Sequence, residues 1–117
     1  MKVLIIDDDK DICETISLVL QYHGYSSAYV QSGHEGLAYL ERESSQVCLV
    51  LLDLMMPGMN GWQVLKKIEE NALTTSIPIF ILTAFVGPIE NINPNSIIRK
   101  PLDIDTLLNI VQQNCLK

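Results

Sequence analysis

The chain has 117 residues, of which 48% are hydrophobic, and it carries a formal net charge of −6. This length and apolar content suit one globular domain with its own core, and they exclude a disordered or low-complexity segment. The acidic balance argues against a direct nucleic-acid partner, because phosphate backbones are bound by basic surfaces. No apolar stretch approaches the roughly 18 residues that a membrane-spanning helix needs. The early acidic residues are not typical of a signal peptide, so we expect a cytoplasmic protein without a membrane partner.

The first part of the chain alternates predicted strands and helices. Residues 2–6 form a continuous apolar run, which is typical of a strand buried on both faces. A helix is predicted next, with Asp9 as its N-cap and Gly24 at its C-terminal end. A weaker strand is predicted at residues 26–30, and a second helix near residues 34–43.

The rest of the chain continues this alternation. Strands are predicted at residues 47–52, 77–82 and 96–98, and helices from Trp62 towards Leu73 and from about Asp103 to Cys115. Buried-type strands that alternate with helices imply an α/β sandwich with a parallel sheet and right-handed crossovers. In open sheets of this kind, ligands bind beyond the carboxyl ends of the strands, so the residues at those ends matter most for function.

Polar residues follow four of the predicted strands at the point where each strand ends. Asp7 and Asp8 follow the first strand, Asp53 the third, Thr83 the fourth and Lys100 the fifth. Singly, each fits an ordinary role as a helix cap, a turn residue or a surface residue. Together they offer oxygen ligands for Mg²⁺, a carboxylate nucleophile, a hydroxyl donor and an ammonium group. The set therefore indicates a magnesium-dependent phosphoryl-transfer site.

Four segments of the chain resemble the receiver domains of two-component response regulators. They are VLIIDDD at 3–9, LLDLMMPGMNG at 51–61, ILTA at 81–84 and KP at 100–101. The resemblance covers essentially the whole chain, as one receiver domain over residues 1–117, and the D-x-M-M-P-x-M-x-G stretch is highly specific. It implies a flavodoxin-like, doubly wound (βα)5 fold with a five-stranded parallel sheet in the order 2-1-3-4-5.

The resemblance implies that the three aspartates bind a phosphoryl group and its cation. Asp53 would be the phosphoacceptor, and Asp7 and Asp8 would join it as carboxylate ligands of Mg²⁺. The main-chain carbonyl of Met55 would be a further ligand. The donor would be the phosphohistidine of a partner histidine kinase or histidine phosphotransfer protein.

The resemblance also implies how the phosphoryl group is sensed. The hydroxyl of Thr83 would move to it, Lys100 would contact it, and the peptide bond between Lys100 and Pro101 would be cis. The domain would catalyse only its own phosphorylation and dephosphorylation, so we expect a regulatory domain rather than an enzyme.

The segment that precedes Lys100 departs from the family pattern. Only sixteen positions, residues 84–99, separate Thr83 from Lys100, and they include one glycine and two prolines. A parallel crossover needs about a dozen residues or more, and a proline inside a helix costs about 3 kcal/mol. We therefore expect the family's fourth helix to be absent or reduced to about one turn, and dimers through that face to be disfavoured.

The switch position departs from the family pattern as well. Members usually carry an aromatic residue three positions before the lysine, and this chain has Ile97 there. Because Ile97 has no ring to rotate, we expect phosphorylation to be reported differently, for instance through the loop itself.

The three cysteines, Cys13, Cys48 and Cys115, are widely spaced and odd in number. Their spacing matches neither a metal site nor a redox motif. We therefore predict buried or half-buried thiols in a reducing compartment.

Two other functions are compatible with the sequence. A pseudo-receiver would use the fold as a protein-binding module without phosphorylation; the shortened crossover favours it and the complete residue set opposes it. A Mg²⁺-dependent hydrolase of small phosphoesters would usually need a second aspartate two residues after the nucleophile, where this chain has Met55. The hydrolase ranks last.

Overall fold

The computed structural model describes residues 1–117 and contains five strands and four α-helices. The strands are β1 (Lys2–Ile6), β2 (Ser26–Val30), β3 (Val47–Asp53), β4 (Ile79–Thr83) and β5 (Ile97–Arg99). The α-helices are α1 (Lys10–Tyr22), α2 (Gly33–Glu43), α3 (Gly61–Glu70) and α4 (Ile104–Asn114). All neighbouring strands are parallel, in the order β2-β1-β3-β4-β5. The predicted doubly wound, flavodoxin-like sheet is confirmed.

Both faces of the sheet are buried because successive side chains of β1 and β3 point to opposite helical layers. The side chains of one face pack with α1 and α4, and they include Val3, Ile5, Leu49 and Leu51. Those of the other face pack with α2 and α3, and they include Leu4, Ile6, Val50 and Leu52. Because full burial of such a side chain stabilises the fold by about 1.5–3 kcal/mol, these two strands are firmly held along their length.

Helix α1 is capped as the sequence predicts. The side chain of Asp9 accepts hydrogen bonds from the main-chain N–H groups of Asp11 and Ile12. At the other end, Gly24 has a φ of +87°, a conformation that favours glycine. None of the helices combines the length and the apolar character that crossing a membrane requires.

The crossover from β4 to β5 contains no α-helix. Residues 84–93 form a loop, and a single 3-10 turn at Pro94–Ser96 leads into β5. Pro94 opens that turn, where its missing N–H leaves no hydrogen bond unmade. The prediction that the family's fourth helix is absent or reduced to one turn is confirmed, so α4 occupies the place of a fifth helix.

The predicted end of α3 is wrong. The helix ends at Glu70, and Leu73 lies beyond it with a side chain that is 70% exposed. The cause is Asn71, whose side-chain oxygen accepts the N–H of Leu73 at 2.9 Å and starts a turn.

The prediction of free thiols is also wrong for two of the three cysteines. Cys48 and Cys115 form a disulfide whose Cα atoms are 5.4 Å apart. The bond joins the start of β3 to the residue that caps the C-terminal end of α4. Their separation of 67 positions gives no sign of this pairing, because only the fold brings those two ends together. Cys13 remains a free, buried thiol, as predicted.

Candidate functional site

The carboxyl-terminal edge of the sheet brings the five predicted strand-end residues to one place. Asp7, Asp53 and Thr83 are buried, Lys100 is half-buried, and Asp8 is exposed. Each follows or ends a strand, so the paired backbones of β1, β3, β4 and β5 fix their relative positions.

The three carboxylates are close enough to share one cation. One oxygen from each of Asp7, Asp8 and Asp53 lies within 4.8 Å of the other two. Asp7 is fully buried, and its Oδ1 accepts the main-chain N–H of Asp9 at 2.9 Å. Oxygen ligands at this spacing, with one exposed member open to solvent, fit Mg²⁺, which keeps several waters when it binds.

Lys100 supplies the positive charge of the site. Its Nζ lies 2.9 Å from Oδ2 of Asp7 and 3.7 Å from Oδ1 of Asp53. Its main-chain N–H donates to the carbonyl oxygen of Thr83 at 2.7 Å, which aligns the end of β5 with the end of β4. The peptide bond from Lys100 to Pro101 is cis. One ammonium group faces three carboxylates, so the site retains a negative charge that a divalent cation would offset.

The surroundings of Asp53 raise the pKa of its carboxyl group. Burial raises its pKa to about 6, and the like charge of Asp7 acts in the same direction. The positive charge of Lys100 and the hydrogen bond from the Met55 N–H oppose this rise in pKa. Asp53 is therefore a desolvated carboxylate that is still mostly ionised at pH 7, a state that suits a nucleophile.

The conformation of the loop after Asp53 explains why glycine is needed at particular positions in it. The N–H of Met55 donates to Oδ1 of Asp53 at 3.3 Å, and Gly58 turns the chain with a φ of +75°. Gly61 then begins α3 against the end of β3. A Cβ at Gly61 would lie 2.6 Å from the carbonyl oxygen of Asp53 and 2.6 Å from Cα of Leu54. Only glycine permits this approach, because the atoms it would strike belong to the backbone.

Thr83 has its hydroxyl at the same edge of the sheet. Its Oγ1 accepts the main-chain N–H of Phe85 at 3.0 Å. A hydroxyl group has one donor and two acceptor positions. The O–H of Thr83 is therefore free to donate to another group.

Sequence reasoning did not assign Cys13 to the site. Its thiol donates to the main-chain carbonyl of Asp7 at 3.3 Å, which holds the backbone of a candidate metal ligand. Burial raises the pKa of Cys13 to about 12, and the negative charges of Asp7 and Asp9 add to this rise. The thiol therefore keeps its proton and its donor role. In the sequence, the helical spacing of Cys13 with Ile16 and Leu20 indicates that its thiol faces the interior, and all three are buried on α1.

Comparison with known proteins places the chain in a family. Residues 3–112 match the model of the response regulator receiver domain. The chain is 29% identical over 115 residues to protein PilH of Pseudomonas aeruginosa, covering 94% of this chain and 93% of PilH. It is 36% identical over 113 residues to the transcriptional regulatory protein DltR of Streptococcus agalactiae, covering 92% of this chain and 49% of DltR. It thus spans nearly all of PilH but about half the length of DltR.

Two solved structures agree with this result. The fold matches that of chemotaxis protein CheY4 of Vibrio cholerae with a TM-score of 0.83 and 27% identity, over 97% of this chain and 98% of that chain. A CheY-like receiver domain from Methanospirillum hungatei gives a TM-score of 0.84 at 27% identity, over 96% of this chain and 90% of the other. The chain therefore belongs to the response regulator receiver domains, the regulatory signalling domains of two-component systems.

Proposed function

We propose that the chain, as one domain over residues 1–117, accepts a phosphoryl group on Asp53 from the phosphohistidine of a histidine kinase or phosphotransfer protein. One observation carries the proposal. Asp53 is a buried carboxylate with two further carboxylates and the Lys100 ammonium group within reach. No packing requirement explains such a set at the end of an apolar strand, whereas phosphoryl transfer needs each member of it.

In the proposed step, a carboxylate oxygen of Asp53 attacks phosphorus while the bond from phosphorus to the donor's imidazole nitrogen breaks. The electron pair of that bond leaves with the imidazole, and Asp53 becomes an acyl phosphate. Asp7, Asp8 and Asp53, with the main-chain carbonyl of Met55, would hold Mg²⁺, whose charge offsets that of the phosphoryl oxygens during the transfer.

The remaining residues hold the anion that forms. Lys100, now paired with Asp7 at 2.9 Å, has a flexible side chain that can turn its ammonium group towards a phosphoryl oxygen. The O–H of Thr83, whose oxygen accepts from the Phe85 N–H, would be the neutral donor to the phosphoryl group. Hydrolysis of the acyl phosphate by water would later restore Asp53, so the domain would act only on its own phosphoryl group and not as an enzyme on other substrates.

A groove beside Lys100 supports docking of the donor protein. It is a cavity of about 400 Å³ between α1 and the start of α4, and its lining is mainly apolar. Ile12, Val19, Leu102 and Ile104 contribute to that lining, and Lys100 and Asp11 contribute charge. A partner that buries this groove would bring its phosphohistidine next to the site.

We further propose a cytoplasmic location, without direct nucleic-acid or membrane partners. The net charge of −6 argues against a nucleic-acid partner, because phosphate backbones are bound by basic surfaces. Because the family's fourth helix is absent, dimers through that face should not form. Sedimentation of the phosphorylated protein as a monomer would support this, and a dimer would contradict it.

The test uses acetyl phosphate as the donor, with intact-mass spectrometry as the readout. We expect one added phosphoryl group per chain with Mg²⁺, none after chelation, and none in the Asp53→Asn variant. A folded wild-type protein that gains no phosphoryl group would favour the pseudo-receiver. Sustained turnover of p-nitrophenyl phosphate would favour the hydrolase.

A further inference from the structure

Arg99 bridges two carbonyl groups of the loop that replaces the missing helix. It pairs with Thr83 in the register of β4 and β5. Its Nη1 donates to the carbonyl oxygens of Phe85 and Gly87, the second at 3.2 Å. A terminal guanidinium nitrogen carries two N–H groups, so one nitrogen can serve both acceptors.

Phe85 is thereby fixed on both sides of its backbone. Its N–H donates to Oγ1 of Thr83 at 3.0 Å, and its carbonyl accepts from Arg99. As long as this N–H occupies an acceptor position of the Thr83 hydroxyl, the O–H of Thr83 must point elsewhere. The arrangement from Arg99 through Phe85 to Thr83 therefore orients the hydroxyl as a donor.

Hydrogen bonds, rather than apolar packing, hold this part of the loop. In a helix, the carbonyls of Phe85 and Gly87 would be satisfied by N–H groups four residues later. The crossover has no α-helix, so Arg99 supplies those donors. The side chains of the turn contribute little burial, since Phe85 is 45% exposed and Val86 is 94% exposed.

We propose that Arg99 is a positioning residue for Thr83. By bridging the carbonyls of Phe85 and Gly87, it keeps the Phe85 N–H on the Thr83 hydroxyl and so directs the O–H towards the incoming phosphoryl group. This inference rests on the proposed function, in which Thr83 contacts that group. Arg99 itself does not touch the reacting atoms.

A second anchor of the same loop provides a matched control. The indole N–H of Trp62 donates to the carbonyl oxygen of Glu90 at 3.4 Å, beyond the turn that Arg99 holds. The Trp62→Phe variant removes this donor and keeps an aromatic ring. It loosens the far end of the loop without touching the contact between Phe85 and Thr83.

The first experiment measures the rate of phosphorylation by acetyl phosphate with Mg²⁺. Arg99→Met removes both donors and keeps an unbranched apolar side chain, and we expect a roughly three- to tenfold slower rate. Arg99→Lys retains several N–H donors and should recover most of the rate. Trp62→Phe should match the wild type. A similar loss in Arg99→Lys or in Trp62→Phe would overturn the inference, because general loosening of the loop would then explain the effect.

A double-mutant cycle tests whether Arg99 acts through Thr83. In a Thr83→Ala background, Arg99→Met should cause no further loss of rate, because the hydroxyl that it orients is absent. An undiminished loss in that background would contradict the inference.

A third measurement does not depend on phosphorylation. Hydrogen exchange at the Phe85 amide of the unmodified protein should accelerate in Arg99→Met and remain at the wild-type rate in Trp62→Phe. An unchanged exchange rate in Arg99→Met would overturn the role of Arg99 whether or not Asp53 is phosphorylated. A wild-type protein that takes no phosphoryl group would instead overturn the proposed function.

Discussion

The two halves of the site are held in different ways. Asp7 and Asp53 extend from β1 and β3, the central strands, whose side chains are buried between helices on both faces. Thr83 and Lys100 border the crossover of residues 84–96, where one 3-10 turn replaces a helix and a few side-chain hydrogen bonds hold the loop. The aspartate half is fixed by core packing, whereas the loop that follows Thr83 depends largely on local contacts.

This difference means that phosphoryl transfer and the reporting of phosphorylation depend on different parts of the fold. The aspartate half cannot change without disturbing the core, so a chain that folds this way keeps its candidate phosphoacceptor and cation ligands in place. The crossover contributes only half-buried side chains, Ile89 and Ile92, to the core, and it lacks the fourth helix. Position 97, at the start of β5, lacks the aromatic residue of the family pattern. The readout can therefore differ from that of other receivers while the chemistry stays the same.

The largest expected effect concerns the disulfide, which joins the start of β3 to the C-terminal end of α4. Closing a loop of 67 positions should stabilise the oxidised protein by about 4 kcal/mol, mainly by restricting the unfolded chain. We expect chemical denaturation with and without a reductant to show a loss of this size. The Cys48→Ala, Cys115→Ala double variant is the control and should not respond to the reductant. An equal midpoint for the wild type in both conditions would contradict the disulfide.

The next effect concerns the strain within the aspartate half and its dependence on pH. The folded-state pKa of Asp53 is about 6 against an ordinary value of 3.8, so between these values the folded state binds more protons than the unfolded state. Without a divalent cation, the stability contributed by this group should fall as the pH rises from about 4 to about 6 and stay low above that. Asp53→Asn should remove this loss and gain roughly 3 kcal/mol at pH 7.

Urea denaturation at several pH values measures this gain. Mg²⁺ provides the control, because a cation that binds only the folded state should stabilise the wild type and leave Asp53→Asn nearly unchanged. If Asp53→Asn were no more stable than the wild type at pH 7, burial would not raise the pKa of Asp53 as described.

Alanine variants at two glycines, one in each half, compare the stability of the two halves directly. In Gly61→Ala, the new Cβ would meet backbone atoms of Asp53 and Leu54 at 2.6 Å, so we expect a loss of about 2 kcal/mol together with slower phosphorylation. In Gly87→Ala, the Cβ would meet the Phe85 ring at 2.9 Å, and that half-exposed ring can swing away, so the loss should stay below about 1 kcal/mol. Equal losses of unfolding free energy in the two variants would remove the distinction between a rigid half and a yielding one.

The sequence predicted the aspartate half well because its signals are local. A run of six apolar residues before Asp53 indicates a buried strand, and parallel strands bring their carboxyl ends together whatever the loops do. The short crossover was also predictable, since the number of positions and the prolines limit what can form there.

The features that sequence reasoning missed depend on long-range geometry. The pairing of Cys48 with Cys115 requires knowing that the start of β3 lies beside the end of α4. The acceptors of Arg99 depend on the path of an irregular loop, and an exposed arginine gives no sequence signal of its partners. The end of α3 followed from the side-chain turn at Asn71, which competed with the helical pattern of Leu73.

The most direct test of the central claim locates the phosphoryl group on the chain. After reaction with acetyl phosphate and Mg²⁺, borohydride reduces an acyl phosphate on an aspartate to the corresponding alcohol, and peptide mass spectrometry identifies the altered residue. We predict that the altered residue is Asp53 alone and that chelation of Mg²⁺ prevents the change. Reduction at Asp7 or Asp8, or no reduced aspartate in a folded protein, would contradict the account.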